Sequence, residues 1–278
     1  RRNVRMQFAF CNETFEDWSF EAVCSALAEA GYDGVEVAPF TLAPRAEEIS
    51  EARCAELRAT AAGHGLIIVG LHWLLAKTEG LHLTSTNAEV RANTAGYLEE
   101  LARVCAGLGG QVMVFGSPPQ RSLPVGVSAH QGFDYAVEVF QAAMPKIAEL
   151  GVRLLIEPLS PVETDFINTC ADGRELTAAV DHPHFGLHLD VKAMCSEDRP
   201  LVELIAEFGA EARHFHANDR NLRGPGTGDV DFVPLLAELH ATGYGGWTSV
   251  EVFDYRPDPV TIARDSIAYL RQCLATTA

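Results

Sequence analysis

Four polar side chains follow short apolar runs in the second half of the sequence. Glu157 comes after Leu-Leu-Ile, Asp190 after Gly-Leu-His-Leu, His216 after His-Phe, and Glu251 after Ser-Val. If each run is a strand, side-chain alternation places each of these residues on the face opposite to the apolar side chain just before it. A buried carboxylate without a partner is costly, and a bound cation is the simplest compensation. The pattern therefore predicts a metal site of three carboxylates and one imidazole.

The ligand types restrict the metal. Carboxylate oxygens and an imidazole suit Mn²⁺, Mg²⁺ or Co²⁺, accommodate Zn²⁺, and disfavour the soft metals that select thiolates. One divalent ion is predicted, with Mn²⁺ as the first choice. For any single carboxylate the competing interpretation is a helix cap or an ion pair. Four such residues at successive strand ends are hard to explain in that way.

Strand-like runs and segments of helical period alternate eight times along the 278 residues. The predicted strands cover residues 6–10, 34–38, 66–72, 111–115, 152–157, 185–190, 212–216 and 247–251. The predicted helices cover residues 18–30, 46–63, 87–107, 130–150, 172–181, 200–208, 232–242 and 258–274. Strict alternation indicates parallel strands joined by right-handed crossovers.

This order predicts an α/β fold, a single (β/α)8 TIM barrel in which residues 1–278 form one domain. A doubly wound sheet is disfavoured, because no Gly-x-Gly-x-x-Gly turn follows any predicted strand. Sites in such barrels lie at the carboxyl ends of the strands, so the four polar side chains meet whatever their separation in sequence. The residues that precede them are expected to face the helices: Ile156, Leu189, Phe215 and Val250.

Charge and cysteine content disfavour several classes of function. The 21 Lys and Arg against 38 Asp and Glu give a formal net charge of −17, which opposes binding to nucleic acid and to anionic membranes. No apolar run approaches the roughly 20 residues that span a bilayer. The seven cysteines include no Cys-x-x-Cys pair, which predicts neither a disulfide framework nor a thiolate metal site. Buried, reduced cysteines in a cytoplasmic protein are expected instead.

Four blocks of sequence carry a family resemblance. Residues 156–169 read Ile-Glu-Pro-Leu-Ser-Pro-Val-Glu-Thr-Asp-Phe-Ile-Asn-Thr, and residues 214–219 read His-Phe-His-Ala-Asn-Asp. Residues 224–232 read Gly-Pro-Gly-Thr-Gly-Asp-Val-Asp-Phe, and residues 243–251 read Gly-Tyr-Gly-Gly-Trp-Thr-Ser-Val-Glu. Their order and spacing resemble the xylose-isomerase-like barrels, and among them the sugar phosphate isomerase/epimerase group that includes the tagatose/psicose 3-epimerases. The first half of the chain resembles this family more loosely, through Gly-Tyr-Asp-Gly-Val-Glu-Val at residues 31–37.

The resemblance implies a metal-dependent isomerase or epimerase of a small sugar. It implies that Glu157, Asp190, His216 and Glu251 hold one divalent metal, and that the two glutamates also form the acid/base pair. One glutamate would remove a proton and the other return it, through a metal-stabilised enediolate. It also implies homo-oligomers, dimers or tetramers, although no interface signal stands out in the sequence.

Four residues are predicted to contact the substrate. The resemblance assigns Glu163 to this role and places Arg223 close to a substrate-contacting arginine. His72 ends a predicted strand and is expected either to line the pocket beside Trp73, whose ring would stack on a sugar, or to be structural. Lys192 directly precedes Ala193, which stands where the family motif Asp-x-x-His has its histidine, and this lysine is expected either to bind an anionic group or to be a solvated lysine.

Several further residues have two interpretations each. Glu36 either faces the pocket or pairs with a basic residue. His188 and His214 either hydrogen-bond the metal ligands from below or serve packing alone. The loop over residues 116–121, with Arg121, is a candidate for substrate contact.

Three alternatives to the isomerase or epimerase stay open. The first is a metal-dependent dehydratase of a keto-polyol, similar to inosose dehydratase. The second is an endonuclease-IV-like repair enzyme, which His-Ala-Asn-Asp at residues 216–219 resembles but the charge of −17 disfavours. The third is a non-catalytic sugar-binding barrel. Since few cations are available to attract an anion, a neutral sugar is slightly favoured as the substrate.

Overall fold

The computed structural model describes residues 6–277. Eight parallel strands each pair with the next one along the chain, and the last pairs with the first, so the sheet closes into a barrel. The strands are β1 (Gln7–Cys11), β2 (Gly34–Val37), β3 (Ile67–Leu71), β4 (Val112–Phe115), β5 (Arg153–Ile156), β6 (Phe185–Asp190), β7 (Ala212–Ala217) and β8 (Trp247–Val250). The predicted fold class is confirmed, whereas the assignment of the whole chain to one domain stays a prediction.

Helices surround the barrel. They are α1 (Phe20–Ala30), α2 (Glu51–Gly63), α3 (Ala88–Leu108), α4 (Ala129–Glu149), α5 (Cys170–Val180), α6 (Val191–Met194), α7 (Leu201–Phe208), α8 (Phe232–Ala241) and α9 (Pro259–Thr277). Of the helices that begin later than predicted, α1 and α2 differ most, because the side chains of Ser19 and Ser50 cap their first turns. A separate 3-10 turn, Ala46–Glu48, precedes α2, and the one-turn helix α6 is absent from the sequence prediction.

The barrel interior changes from apolar to polar toward the carboxyl ends of the strands. A deep apolar cluster consists of Ala9, Val69, Val112 and Leu155. Above it, His188 lies beside His214, and Asp190 lies beside His216, in the register of β6 and β7. This order places the titratable side chains where the barrel opens.

The outward-facing side chains of the same strands pack against the helices. The main hydrophobic core includes the four residues that precede the predicted ligands: Ile156, Leu189, Phe215 and Val250. The predicted phase of strand alternation is therefore confirmed.

Two simpler features concern the cysteines and the helices. All seven cysteines are free, and all but Cys195 are buried. Among the helices that the structure describes, none combines the length and the apolar character needed to traverse a bilayer.

Candidate metal centre and adjoining pocket

The ends of β5 to β8 bring the four predicted ligands together, and all four side chains are buried. Ligand atoms of Glu157, Asp190 and His216, with a ring nitrogen of His188, all lie within 4.8 Å of one another. The fourth predicted ligand, Glu251, places Oε2 3.0 Å from Nδ1 of His216. Residues that are up to 94 positions apart in the sequence thus come together around His216.

Asp190 is fixed through both of its carboxylate oxygens. Oδ1 accepts a hydrogen bond from the backbone N–H of Ala193 at 2.7 Å, which caps α6. Oδ2 accepts one from Nδ2 of Asn218 at 2.6 Å, and Asn218 Oδ1 in turn accepts from the backbone of Lys192. Asn218 was not among the predicted site residues, although it is a polar residue directly after the buried strand β7.

His216 is oriented from below by Glu36. Its Nε2 lies 3.2 Å from Glu36 Oε1, and Nε2 of His214 lies 2.7 Å from Glu36 Oε2. Although burial opposes the shift, the two imidazoles hold the pKa of Glu36 well below its usual range. Of the two interpretations of Glu36, the pairing with basic residues is confirmed. Because Nε2 faces Glu36, the Nδ1 side of His216 is the one turned toward Glu251.

Glu251 is held between an imidazole and an indole. Its Oε2 faces His216, and its Oε1 accepts a hydrogen bond from Nε1 of Trp73 at 2.8 Å. Burial alone would raise the pKa of Glu251, but the attraction of His216 lowers it to about 2. Trp73 adopts a φ of +52°, a backbone conformation that costs energy for a bulky residue and is found mostly where function needs it. Trp73 therefore positions a carboxylate, a contact that the sequence analysis did not anticipate.

Glu157 is the carboxylate with the least support from the protein. It accepts no side-chain hydrogen bond from the described residues, and the nearest imidazole nitrogen, on His188, is 3.9 Å away. Burial and the repulsion of Glu251 and Asp190 raise its pKa well above the usual value. Gly116 makes room for it, since a Cβ at this position would collide with Glu157 Oε2.

The centre has the charge and the ligand types that a cation requires. Burial raises the pKa of Asp190 as well, with Glu251 adding to the shift and Lys192 opposing it. Both ring nitrogens of His188 lack a hydrogen-bond partner among the described residues. Since a bound cation would relieve the repulsion between these buried carboxylates, the cluster suits a divalent metal ion.

A pocket of about 340 Å³ lies directly above this centre. Of the residues predicted to contact the substrate, His72, Glu163 and Lys192 line it, together with Trp73. His72 is fully enclosed and its Nε2 lies 2.6 Å from Oε2 of Glu13. Glu13 was missed in the sequence, although the polar pair Asn-Glu directly after the buried strand β1 resembles the other strand ends.

Lys192 is not a solvated lysine. Its Nζ lies 2.7 Å from Oε1 of Glu163 and 4.0 Å from the centre of the Phe253 ring, with the lysine side chain only 9% exposed. Because the lysine lines the pocket while paired with Glu163, contact with the substrate stays a prediction.

Arg223 lies apart from the other predicted contact residues. Its guanidinium donates a hydrogen bond to the backbone carbonyl of Arg256 at 3.0 Å, and within the described chain it does not line the pocket above the metal centre. A role in substrate binding stays a prediction from the resemblance.

Arg121 has a different position from the one expected. It is completely buried, and its guanidinium donates to four backbone carbonyls, those of Gly116, Glu157, Phe166 and Ile167. Residues 116–120 of the same loop line the pocket, whereas Arg121 does not. Arg121 therefore holds together the loops that follow β4 and β5, next to the Glu157 carboxylate.

Known proteins resemble this chain over most of its length. A family model described as "Xylose isomerase-like TIM barrel" matches residues 24–273. A probable ketose 3-epimerase of Synechocystis sp. is 25% identical over 88% of both chains. The 3-dehydro-D-guloside 4-epimerase of Escherichia coli (strain K12) is 32% identical over 126 residues, which are 45% of this chain and 48% of that protein.

Solved structures show the same barrel. The apo crystal structure of a 3-keto-D-glucoside 4-epimerase from E. coli superposes with a TM-score of 0.82 at 23% identity, over 97% of this chain and all of the other. At this level of identity the likeness shows the fold.

Proposed function

The chain belongs to the xylose isomerase-like TIM barrel family, and from this premise we propose that it is a metal-dependent epimerase of a small sugar that carries a ketone. One observation supports the proposal above all: three buried carboxylates and an imidazole converge beneath a pocket at the carboxyl ends of the strands. The names of the relatives add the reaction type, since one is named as a probable ketose 3-epimerase and another as a 3-dehydro-D-guloside 4-epimerase.

We expect Glu157, Asp190, His216 and Glu251 to hold one divalent ion, with Mn²⁺ preferred over Mg²⁺, Co²⁺ and Zn²⁺. His216 would bind through Nδ1, because its Nε2 is engaged by Glu36. When bound, the ion supplies Lewis-acid polarisation of the ketone and of a neighbouring oxygen, which makes the C–H between them more acidic.

Glu157 and Glu251 are placed to move the proton. They follow β5 and β8, which are three strands apart in a ring of eight, so their carboxylates reach the pocket from different directions. One glutamate removes the proton from the carbon beside the ketone, and the other returns a proton to the opposite face of that carbon. This exchange inverts the carbon. Trp73 fixes the Glu251 carboxylate during the transfer.

The test is a screen of ketoses, ring-oxidised glycosides and keto-inositols in deuterated water with Mn²⁺ or Co²⁺, followed by NMR. Epimerisation predicts deuterium at one carbon beside the ketone, in both the substrate and its epimer. An unsaturated product with ultraviolet absorption would identify a dehydratase instead. Elemental analysis should find about one divalent ion per chain, whereas about three would favour an endonuclease-IV-like centre.

Metal affinity is predicted to rise between about pH 5 and about pH 8. Burial and neighbouring carboxylates raise the pKa of Glu157, and Glu251 and Glu36 raise that of His216 against the effect of burial. A group with a raised pKa keeps its proton to higher pH, and that proton competes with the cation. Titration calorimetry of Mn²⁺ in buffers of different ionisation enthalpy would measure the affinity and the protons released. An affinity that stays constant or falls over this range would contradict the proposed ligand set.

Gly116→Ala is predicted to reduce turnover by about 10- to 100-fold while the fold persists. The new Cβ would collide with Glu157 Oε2, and the carboxylate would shift because it is the flexible end of its side chain. The control is Gly96→Ala on α3, where a Cβ meets no atom within 4 Å. Steady-state kinetics and thermal unfolding compare the two variants. Normal turnover in Gly116→Ala would mean that the observed position of the Glu157 carboxylate is not the functional one.

A further inference from the structure

A second cleft adjoins the pocket above the metal centre. This outer cleft has a volume of about 400 Å³ and shares Glu163, Lys192 and Phe253 with the inner pocket. The ion pair of Glu163 and Lys192, with the Phe253 ring against it, forms the boundary between the two spaces. The inner pocket alone lies at the small end of the range for ligand sites, about 300–1,000 Å³, whereas the two together lie well within it.

Two apolar side chains line the outer cleft and are open to solvent. Val162 is 94% exposed and Leu222 is 45% exposed. A single exposed apolar residue needs no explanation, but two on the wall of one cleft that continues from a candidate active site indicate a contact surface for an apolar group.

The backbone holds both side chains in place. Leu222 adopts a φ of +69°, which is unfavourable for leucine, and its carbonyl accepts hydrogen bonds from the backbone N–H groups of Phe253 at 2.8 Å and Asp254 at 2.9 Å. Val162 lies in a turn that is closed by a hydrogen bond of 2.7 Å, which the Ser160 hydroxyl donates to the Glu163 carboxylate. The cleft therefore has a fixed wall.

The charges at the outer cleft do not favour an anion. Lys192 is paired with Glu163. Arg220 is exposed to solvent and is attracted by two nearby carboxylates, those of Asp219 and Asp229. Since the carboxylates outnumber the cations here, an anionic substituent would gain little, whereas an apolar substituent would bury surface against Val162, Leu222 and the Phe253 ring.

We propose that the outer cleft binds the apolar aglycone of a glycoside whose sugar ring carries the ketone and occupies the inner pocket. This inference rests on the proposed epimerase and selects, within its substrate class, ring-oxidised glycosides over free ketoses. The aglycone crosses the boundary at Phe253, so the ring that is epimerised stays above the metal centre.

The test compares two substrates that differ only in the aglycone, phenyl and methyl 3-keto-β-D-glucopyranoside. The parent protein should show a kcat/KM at least about tenfold higher for the phenyl compound. Leu222→Asp and Val162→Asp should each bring this ratio close to one, while the value for the methyl compound changes little. The control is Val125→Asp, which alters another fully exposed valine outside both clefts and should keep the parent ratio.

A binding measurement makes the result independent of turnover. Titration calorimetry of phenyl and methyl β-D-glucopyranoside, with the Mn²⁺-loaded protein, should show the same preference and the same loss in the two aspartate variants. A ratio close to one in the parent would overturn the inference, and turnover of the methyl compound would then leave the epimerase proposal intact. A phenyl preference that persists in both aspartate variants would place the aglycone elsewhere and also overturn it.

Discussion

Glu251→Gln is expected to reduce turnover by about a thousandfold or more, because it removes a proton-transferring group and one negative ligand at once. The amide keeps the shape of the side chain and can still accept the hydrogen bond from the Trp73 indole, which reaches Glu251 Oε1 at 2.8 Å in the parent. The fold should therefore persist. The measurement is the rate at which deuterium from the solvent enters the carbon beside the ketone.

The same loss is expected for Glu157→Gln, although the two carboxylates lie in different surroundings. His216 holds the pKa of Glu251 low against the effect of burial, whereas burial and nearby carboxylates hold that of Glu157 high. The control is Glu149→Gln, which changes a carboxylate that forms an exposed ion pair with Lys146. Deuterium exchange within tenfold of the parent in either active-site variant would refute the acid/base pair.

The barrel could be predicted because one local pattern, a strand followed by a helix, repeats along the chain. Each strand and helix shows its own period, and strict alternation leaves few ways to connect parallel strands. Apart from the missed helix α6, the largest error lies at a helix start, where a single side chain decides the boundary. Ser19 and Ser50 each accept a hydrogen bond from the first turn, and such a cap is a stronger signal than the apolar period that extended the predicted helices.

The convergence of the candidate ligands followed from the same logic. Once the strands are parallel and the barrel closes, residues at their carboxyl ends meet, so Glu157 and Glu251 become neighbours of His216 although they are distant in sequence. The alternation of side chains along a strand does not specify which atoms come into contact. Two interpretations stayed open for Glu36, because its partners His214 and His216 come from strands on another part of the chain.

Loop residues show the limit of sequence reasoning most clearly. The indole of Trp73 reaches Glu251 only because the backbone at Trp73 adopts a positive φ, which no local pattern indicates for a tryptophan. Lys192 was compared with a family motif, but its position depends on Glu163, 29 residues earlier in the chain. Such contacts are set by how loops pack on one another, and the period of a strand or helix carries no information about them.

Arg121→Met is expected to lower the free energy of unfolding by about 3 kcal/mol, the largest loss of stability that we predict. The guanidinium is completely buried and donates to four backbone carbonyls, at 2.6 Å to Glu157 and Ile167, 3.1 Å to Phe166 and 3.2 Å to Gly116. Each buried carbonyl left without a donor costs about 1–3 kcal/mol. Part of this loss is offset, because the methionine variant no longer has to bury a charged group. The cost of that burial is also what lowers the pKa of Arg121 to about 10.

Urea unfolding would measure the change in the free energy of unfolding, provided that the parent and the variant show the same m-value. Arg121→Lys should fall between the parent and the methionine variant, because an ammonium keeps the charge but cannot reach four carbonyls with the geometry of a guanidinium. Arg153→Met alters an exposed arginine whose guanidinium, among the described residues, donates to the Pro183 carbonyl alone, and its midpoint should stay close to that of the parent. If Arg121→Met unfolded within 1 kcal/mol of the parent, buried water or rearranged loops would have to satisfy the carbonyls. The positions of Gly116 and Glu157 would then not depend on Arg121.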